Sequence, residues 1–333
     1  MNDLKALTKK IVTAYGPTGD ETNVANLIIK EIKPYVDSVK IDALGNVIAV
    51  KNASGPKVML AAHMDEIGVM VTHIDEKGFL RFTNLGGLNP QVLLGTRCVF
   101  ANGTVGVFGA EKLNTGETLE LSKMFIDIGA DNKEEALQKV QVGDCAGGCY
   151  ECIDLGNRMV SKAMDDRIAC VILIEAIKRV KHAKVQMNFV FTVQEEVGLR
   201  GARTSAFAVD PDFGIAIDVT RTGDTPKSIT MDVALGKGPT VKVRDASVLC
   251  HPIMIRFMKE VATKHKIPYQ LEVLESGGTD SGAIHTTKAG VPSGVMSIAT
   301  RYIHTPSEMV DMNDVENGIK LIVALLETKF PTV

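Results

Sequence analysis

The feature that most constrains this chain is an alternation of short, continuous apolar runs with segments of helical periodicity. Residues 57–62, 187–193 and 213–217 are apolar runs of strand length, which is typical of strands buried on both faces of a sheet. Apolar residues recur at helical spacing over 168–180 and over the closing segment 313–329. Alternation of this kind predicts an α/β fold, with a mainly parallel sheet flanked by helices.

A second pattern interrupts this alternation. Between residues 67 and 161, short alternating strands such as 69–74 are separated by glycine-containing turns, which favours a separate β-domain. We therefore expect an α/β domain made of residues 1–66 and 162–333, with a β-barrel domain inserted at 67–161. A length of 333 residues also favours more than one hydrophobic core.

Charge and hydropathy exclude some classes of partner. The chain has 37 basic and 40 acidic residues, a net charge of −3, so no charge-driven nucleic-acid partner is expected. It contains no run of about eighteen apolar residues, so no membrane span or membrane partner is expected. The N-terminal segment Met1 to Lys5 mixes charged and apolar residues without an apolar signal core. We therefore expect a cytoplasmic protein.

Three of the six cysteines, Cys145, Cys149 and Cys152, lie in one short segment. In a reducing compartment they are expected to be thiols rather than disulfides. Their spacing is compatible with zinc binding, but a fourth ligand at zinc-finger spacing is missing. The sequence therefore favours packed thiols over a structural metal.

Ionisable residues follow four of the predicted strands, where open α/β sheets place their ligands. These residues are His63, the pair Glu195-Glu196, Asp218, and His304 after the run 295–299. A fifth group, Asp165-Asp166, immediately precedes a predicted helix. Taken alone, such an aspartate is usually an N-cap, and a histidine after a strand is usually a hydrogen-bonded surface residue. Together they predict a metal cluster, because several carboxylates buried without cations would each cost several kcal/mol.

Charge counting favours two divalent ions. Three carboxylates and two neutral imidazoles would face four positive charges, leaving one net positive charge that a bridging hydroxide would cancel. The residues in this count are Asp165, Glu196, Asp218, His63 and His304. Mixed histidine and carboxylate ligands suit zinc, cobalt or manganese better than calcium or magnesium.

Two acids remain beside these ligands. Neighbouring strand residues point in opposite directions, so only one of Glu195 and Glu196 is expected to bind metal. The other can accept the proton of a metal-bound water as a general base. Asp65, two residues after His63, can accept the second N–H of that imidazole and fix its tautomer.

Five motifs carry a family resemblance: His63-Met64-Asp65, Met164-Asp165-Asp166-Arg167, Glu195-Glu196-Val197-Gly198, Asp218, and Tyr302-Ile303-His304-Thr305-Pro306. With further motifs at 125–130 and 277–283, they resemble the tetrahedral aminopeptidase family. That family includes glutamyl and deblocking aminopeptidases, and some members are labelled cellulase M. The similarity runs over nearly the whole chain, and the combination is highly specific.

The resemblance implies a catalytic domain of the zinc-peptidase type, an inserted PDZ-like domain used in oligomer contacts, and a hollow tetrahedral dodecamer built from dimers. It implies that Glu195 is the general base and that Asp65 supports the metal ligands. One ion would be held by His63, Asp165 and Asp218, and the other by Asp165, Glu196 and His304.

The expected function is a di-metal aminopeptidase that uses zinc or cobalt to hydrolyse the N-terminal bond of peptides, with Glu195 activating a metal-bridging water. A related di-metal deacylase or carboxypeptidase is an alternative, which the insertion between His63 and Asp165 disfavours. An endo-glycosidase (endoglucanase) with two carboxylates, such as Asp65 and Glu195, is the other alternative. It needs no metal and leaves the two histidines unexplained.

Overall fold

Two β-structures organise residues 1–332, the part of the chain that the computed structural model describes. One is an open sheet of eleven strands and the other is a closed barrel. Each has its own buried apolar core. The α/β domain was predicted to run to residue 333, and that last residue lies outside the described range.

The strands are β1 (Ser38–Ile41), β2 (Val47–Lys51), β3 (Lys57–His63), β4 (Gly68–Ile74), β5 (Leu80–Leu85), β6 (Arg97–Phe100), β7 (Val105–Ala110), β8 (Met124–Asp127), β9 (Cys145–Gly148), β10 (Ile153–Asp154), β11 (Arg158–Ser161), β12 (Gln186–Thr192), β13 (Phe213–Thr220), β14 (Thr240–Arg244), β15 (Gln270–Val273), β16 (Ser293–Arg301) and β17 (Glu308–Asp311). The helices are α1 (Asn2–Val12), α2 (Thr22–Ile32), α3 (Pro90–Leu93), α4 (Lys133–Lys139), α5 (Met164–Arg179), α6 (Arg200–Val209), α7 (Pro252–Lys264), α8 (Ser281–Ile284) and α9 (Met312–Glu327).

The open sheet is mixed, with strand order β1-β2-β12-β3-β13-β16-β17-β11-β10, and β14 and β15 attached beside β16. Its four central strands, β12, β3, β13 and β16, are parallel. The flanking pairs β1–β2, β2–β12, β16–β17 and β17–β11 are antiparallel. The prediction of a mainly parallel sheet therefore holds for the centre only. A tight turn makes β1 and β2 a hairpin, since Asp42 Oδ1 accepts the N–H groups of Leu44, Gly45 and Asn46.

Helices cover both faces of the central strands. On one face α5 packs on β3 and β13 and is itself covered by α1, α2 and α9. Ile168, Leu173 and Ile174 of α5 are fully buried, so truncating one of them to alanine should cost about 2–5 kcal/mol. On the other face α6 and α8 pack over a smaller core. No described helix has the length and apolarity needed to span a membrane.

The barrel closes through the strand order β4-β5-β8-β7-β6-β9. Its core includes an edge-to-face pair, Phe82 and Phe108, whose ring centroids lie 5.3 Å apart. The last barrel strand ends at Gly148, whereas the insertion was predicted to end at 161. Strand β11 pairs with β17 in the open sheet instead. The segment after Gly148 therefore leads back into the larger structure.

A buried charge cluster joins the two chain segments that connect the barrel to the open sheet. Glu66 precedes the barrel, and its Oε1 lies 2.6 Å from Lys162 Nζ on the returning segment. The same oxygen lies 3.1 Å from a terminal nitrogen of Arg167. Burial lowers the pKa of Lys162 to about 8, although the Glu66 carboxylate acts to raise it. We refer to these three residues as the Glu66 cluster.

Candidate metal centre

The predicted site residues lie together at one edge of the open sheet. Because the four central strands are parallel, their carboxyl ends meet at this edge. His63 ends β3, Asp218 lies in β13, Glu195 and Glu196 follow β12, and His304 follows β16. Asp165 enters the same space from the first turn of α5.

Asp165 lies between two imidazoles. Its Oδ1 is 3.1 Å from Nε2 of His63, and its Oδ2 is 3.2 Å from Nε2 of His304. The Oε1 atom of Glu196 is also 3.2 Å from Nε2 of His304. One carboxylate thus faces both histidines, which is the geometry required of a bridging ligand.

Two groups of side chains present donor atoms close enough to hold a metal ion. His63, Asp165 and Glu196 form one, and His63, Asp166 and Asp218 form the other, with donor atoms within 4.8 Å of one another in each group. Asp166 was not predicted as a site residue. It is fully buried, and its Oδ2 accepts the backbone N–H of His63 at 3.2 Å.

Asp65 supports both sides of the site. Its Oδ1 accepts the backbone N–H of Glu195 at 3.0 Å, and its Oδ2 accepts that of Glu196 at 3.2 Å. Nδ1 of His63 lies 3.2 Å from the carbonyl oxygen of Asp65 and 3.4 Å from Oδ1. The hydrogen bond to His63 therefore involves the carbonyl, while the carboxylate fixes the turn that carries the two glutamates.

The backbone around the site is irregular. Ala163, Gln194, Tyr302 and His304 adopt positive φ angles of 53°, 54°, 61° and 62°. Residues with a β-carbon rarely adopt this left-handed conformation, which costs on the order of 1 kcal/mol or more for each residue. Each of these four positions is a predicted site residue or lies within two residues of one, so left-handed backbone borders the site on three chain segments.

Negative charge dominates the site. Burial raises the pKa of Asp218 and of Glu195 well above the ordinary range, and nearby carboxylates raise both further. Burial by itself lowers the pKa of His304, but hydrogen bonds to Asp165 and Glu196 raise it to about 11. The imidazoles therefore take up protons that partly balance the carboxylates.

Divalent metal ions fit this donor set. Oδ1 of Asp166 is buried and makes no hydrogen bond. A buried carboxylate oxygen without a partner is costly unless a cation compensates it. Clustered imidazole and carboxylate donors suit zinc-like transition metals.

Two clefts border the site. The larger, about 1120 Å³, is lined by Glu195 and Asp218 together with Gly277 and Gly278. The smaller, about 620 Å³, lies between Glu196 and His304 and apolar barrel side chains such as Phe108. Both clefts give a substrate access to Glu196 and His304, which line each of them.

The barrel contributes to the site through a pair of glycines that sequence reasoning identified only as a turn. A β-carbon at Gly87 would lie 2.9 Å from Nδ1 of His304, and one at Gly86 would lie 3.0 Å from Oε2 of Glu196. Gly86 also has a φ of +83°. Only glycine allows the barrel backbone to approach these two side chains so closely.

The three cysteines of the segment 145–152 lie outside the two groups of donor atoms described above. Cys145 and Cys149 are partly buried and Cys152 is buried. All six cysteines are free thiols.

Comparisons with known proteins give one consistent result. The sequence profile of the family described as M42 glutamyl aminopeptidase matches residues 45–321. An aminopeptidase homologue of Acetivibrio thermocellus is 51% identical over 322 residues, which is 96% of this chain and 98% of that protein. The solved aminopeptidase of the archaeon Desulfurococcus kamchatkensis is 38% identical with a TM-score of 0.95, covering 99% of this chain and 96% of that one.

A third similar protein is known for its assembly. The TET1 peptidase of Pyrococcus horikoshii is 34% identical with a TM-score of 0.88, covering 97% of this chain and 99% of that one. Its structure is described as able to assemble into a tetrahedron or a large octahedral shell.

Proposed function

This chain belongs to the M42 glutamyl aminopeptidase family and is a metallo-aminopeptidase, and we propose that it removes N-terminal residues from peptides at a centre of two divalent ions. The resemblance to tetrahedral aminopeptidases is thereby confirmed. The observation that carries the proposal is the position of Asp165, with one carboxylate oxygen near each imidazole.

The proposed ligand set is the one that the family resemblance implies, and the contacts of Asp165 with both imidazoles support it. One ion would be held by His63, Asp165 and Asp218, and the other by Asp165, Glu196 and His304. Zinc or cobalt suits these donors. When bound, such ions polarise the scissile carbonyl and lower the pKa of water near the site.

Glu195 is the proposed general base. Its carboxylate lines the larger cleft, and its Oε2 lies 3.8 Å from Nε2 of His63. In the metal-free protein, burial raises its pKa, and the nearby Asp218 and Glu196 carboxylates raise it further. The Glu195 carboxylate takes the proton of the attacking water and then delivers it to the nitrogen of the leaving peptide.

The hydrogen bonds of Asp65 disfavour the glycosidase alternative. A two-carboxylate glycosidase needs both acids at the scissile bond. The Asp65 side chain is fully buried, and its oxygens accept the N–H groups of Glu195 and Glu196 and the hydroxyl of Thr18. Asp65 is therefore committed to holding the turn rather than to contacting a sugar.

We further propose that the chain forms a homo-oligomer, specifically a dodecamer. The tetrahedral assembly of the Pyrococcus horikoshii relative supports this. The inserted barrel, which we propose is PDZ-like, would make the oligomer contacts. The absence of disulfides among the described cysteines agrees with a cytoplasmic location.

A substrate panel tests the proposal. Aminoacyl-p-nitroanilides and N-blocked peptides would be incubated with the protein before and after chelation, and after zinc or cobalt is returned. We expect metal-dependent release from free N-termini only. Release from acylated substrates alone, with metal bound, would favour the deacylase instead.

A variant pair tests the role of Glu195. Glu195→Gln should lower turnover by roughly 10²–10⁴-fold while metal content stays near wild type, because the base is lost and the ligands remain. Glu21→Gln is the matched control, since Glu21 is a buried carboxylate that accepts the N–H of Gln194 beside the same turn. Equal turnover in the two variants would remove Glu195 from the mechanism.

A further inference from the structure

We propose that Glu308 is a positioning residue that sets the geometry of one half of the metal centre, the half formed by Asp165, Glu196 and His304. This inference rests on the proposed two-metal function. It assigns Glu308 no contact with an ion or a substrate. Its role is to hold the backbone of two ligands in place.

The contacts of Glu308 connect two distant chain segments. Glu308 is the first residue of β17 and is 2% exposed. Its Oε2 accepts the backbone N–H of Asp165 at 2.9 Å, and its Oε1 accepts that of His304 at 2.8 Å. A single buried carboxylate thus fixes two residues that are both proposed to bind metal.

Regular secondary structure supplies no partner for these two N–H groups. His304 has a φ of 62° in the turn after β16, and Asp165 has non-helical angles, φ −76° and ψ 108°, at the start of α5. Buried backbone donors need a hydrogen-bond partner. Glu308 provides it for both, so the irregular backbone that orients these ligands depends on this one side chain.

The two halves of the centre have separate supports. His63 is held by the Asp166 carboxylate at its backbone N–H and by the Asp65 carbonyl at its ring. Glu308 hydrogen-bonds neither His63 nor Asp218, and it reaches only the bridging ligand Asp165 and His304. A change at Glu308 should therefore act on one ion more than on the other, which a general loss of stability would not do.

The chain offers a close control for a purely structural role. Asp314 is fully buried and its two oxygens accept the backbone N–H groups of Gly236 and Gly238, each at 2.7 Å. It is absent from both groups that could hold a metal ion and from the lining of both clefts at the site. Asp314→Asn thus disturbs the same kind of double hydrogen bond outside the proposed centre.

The test is a titration of the metal-free full-length protein with cobalt, followed by visible absorption and calorimetry. Wild type should bind two ions per chain. In Glu308→Gln, the ion held by Glu196 and His304 should bind about 10–100-fold more weakly and show an altered cobalt spectrum, as is usual when a group that supports metal ligands is changed. The other ion should be weakened less. Asp314→Asn should bind both ions as wild type does.

Three results would overturn the inference. In the first, Glu308→Gln binds both ions with the affinity and spectrum of wild type, although it loses as much thermal stability as Asp314→Asn does. The second is equal weakening of both ions. The third is a wild type that binds a single ion, which would also remove the two-metal proposal and is thereby distinguishable from the others. If Glu308→Gln does not fold, Glu308→Asp keeps the charge on a side chain one methylene shorter, and the same one-sided weakening is expected.

Discussion

Substitutions in the Glu66 cluster should have unequal effects that follow from counting its charges. Glu66 is the single anion between two buried cations, and it lies within 3.1 Å of both. Glu66→Gln leaves Lys162 and Arg167 without the carboxylate that pairs with both, which should cost about 3–5 kcal/mol. Lys162→Met leaves Glu66 paired with Arg167, so we expect it to be far less destabilising.

The pKa of Lys162 gives the size of the difference. Its lowering from 10.5 to about 8 corresponds to an unfavourable contribution of about 3 kcal/mol near neutral pH. This lowered value already includes the attraction of the Glu66 carboxylate for the ammonium, which donates hydrogen bonds to Glu66 and to the Ala14 carbonyl. Lys162→Met should therefore lower the free energy of unfolding by less than Glu66→Gln does, because the ammonium that it removes carries a net cost.

The double variant Glu66→Gln with Lys162→Met distinguishes this explanation from one in which every buried ion pair stabilises the folded state. Adding Lys162→Met to Glu66→Gln removes an uncompensated cation, so the double variant should be more stable than Glu66→Gln alone. Arg167 keeps its hydrogen bonds to the carbonyls of Met64 and Gly16 in either case.

The lowered pKa of Lys162 makes the stability of the folded protein depend on pH in a definite direction. The unfolded chain holds the lysine proton up to about pH 10.5, whereas the folded protein loses it above about pH 8. Between these values the unfolded state binds more protons, so the stability of wild type relative to Lys162→Met should rise with pH, by up to about 3 kcal/mol.

Thermal unfolding of the metal-free proteins at one fixed concentration measures these differences, because assembly makes the midpoint concentration-dependent. Glu66→Gln should lower the midpoint by roughly 5 °C, given the entropy of unfolding of a chain this long. The reasoning is refuted if Lys162→Met costs as much as Glu66→Gln, or if the double variant is less stable than both.

Three further predictions concern the metal centre. Asp218→Ala should lose about one ion per chain by elemental analysis, and full occupancy would exclude Asp218 as a ligand. Metal binding near pH 7 should release protons, because the raised pKa of His304 keeps it protonated in the metal-free protein. The apparent affinity for metal should rise about tenfold per pH unit for each proton released. Calorimetry in two buffers of different ionisation enthalpy checks this, and equal heats of binding in the two buffers would contradict it. Gly87→Ala should displace His304 and weaken metal binding. Gly95→Ala strains the backbone at a φ of +75°, but the added carbon meets no neighbour within 4 Å, so metal binding should stay unchanged. Equal affinities of the two variants in a metal titration would contradict the close approach of the barrel.

Much of the site could be predicted because parallel strands bring their carboxyl ends to one edge. His63, Glu195 and Asp218 each stand at or just after such an end, so strand patterns in the sequence were enough to bring them together. The antiparallel flanks of the sheet were not predicted. Strand β11 pairs with β17, which is far away in sequence, and local patterns do not encode a pairing of that kind.

Three other residues around the site, Glu308, Gly87 and Asp166, were not predicted, for a different physical reason. Glu308 matters because two N–H groups in irregular backbone need an acceptor, and the left-handed conformation of His304 has no sequence signal. Gly87 matters because a loop of one domain approaches a side chain of the other. Asp166 stood beside a predicted ligand, and its adjacency to Asp165 was the one signal available.

The central claim is that two metal ions held by these side chains are required to release N-terminal residues. The most direct measurement removes all metal from the full-length protein, returns cobalt or zinc in known amounts, and follows hydrolysis of a peptide with a free N-terminus against the number of ions bound per chain. We predict no release by the metal-free protein and full activity at about two ions per chain. Undiminished hydrolysis after complete metal removal would contradict the account.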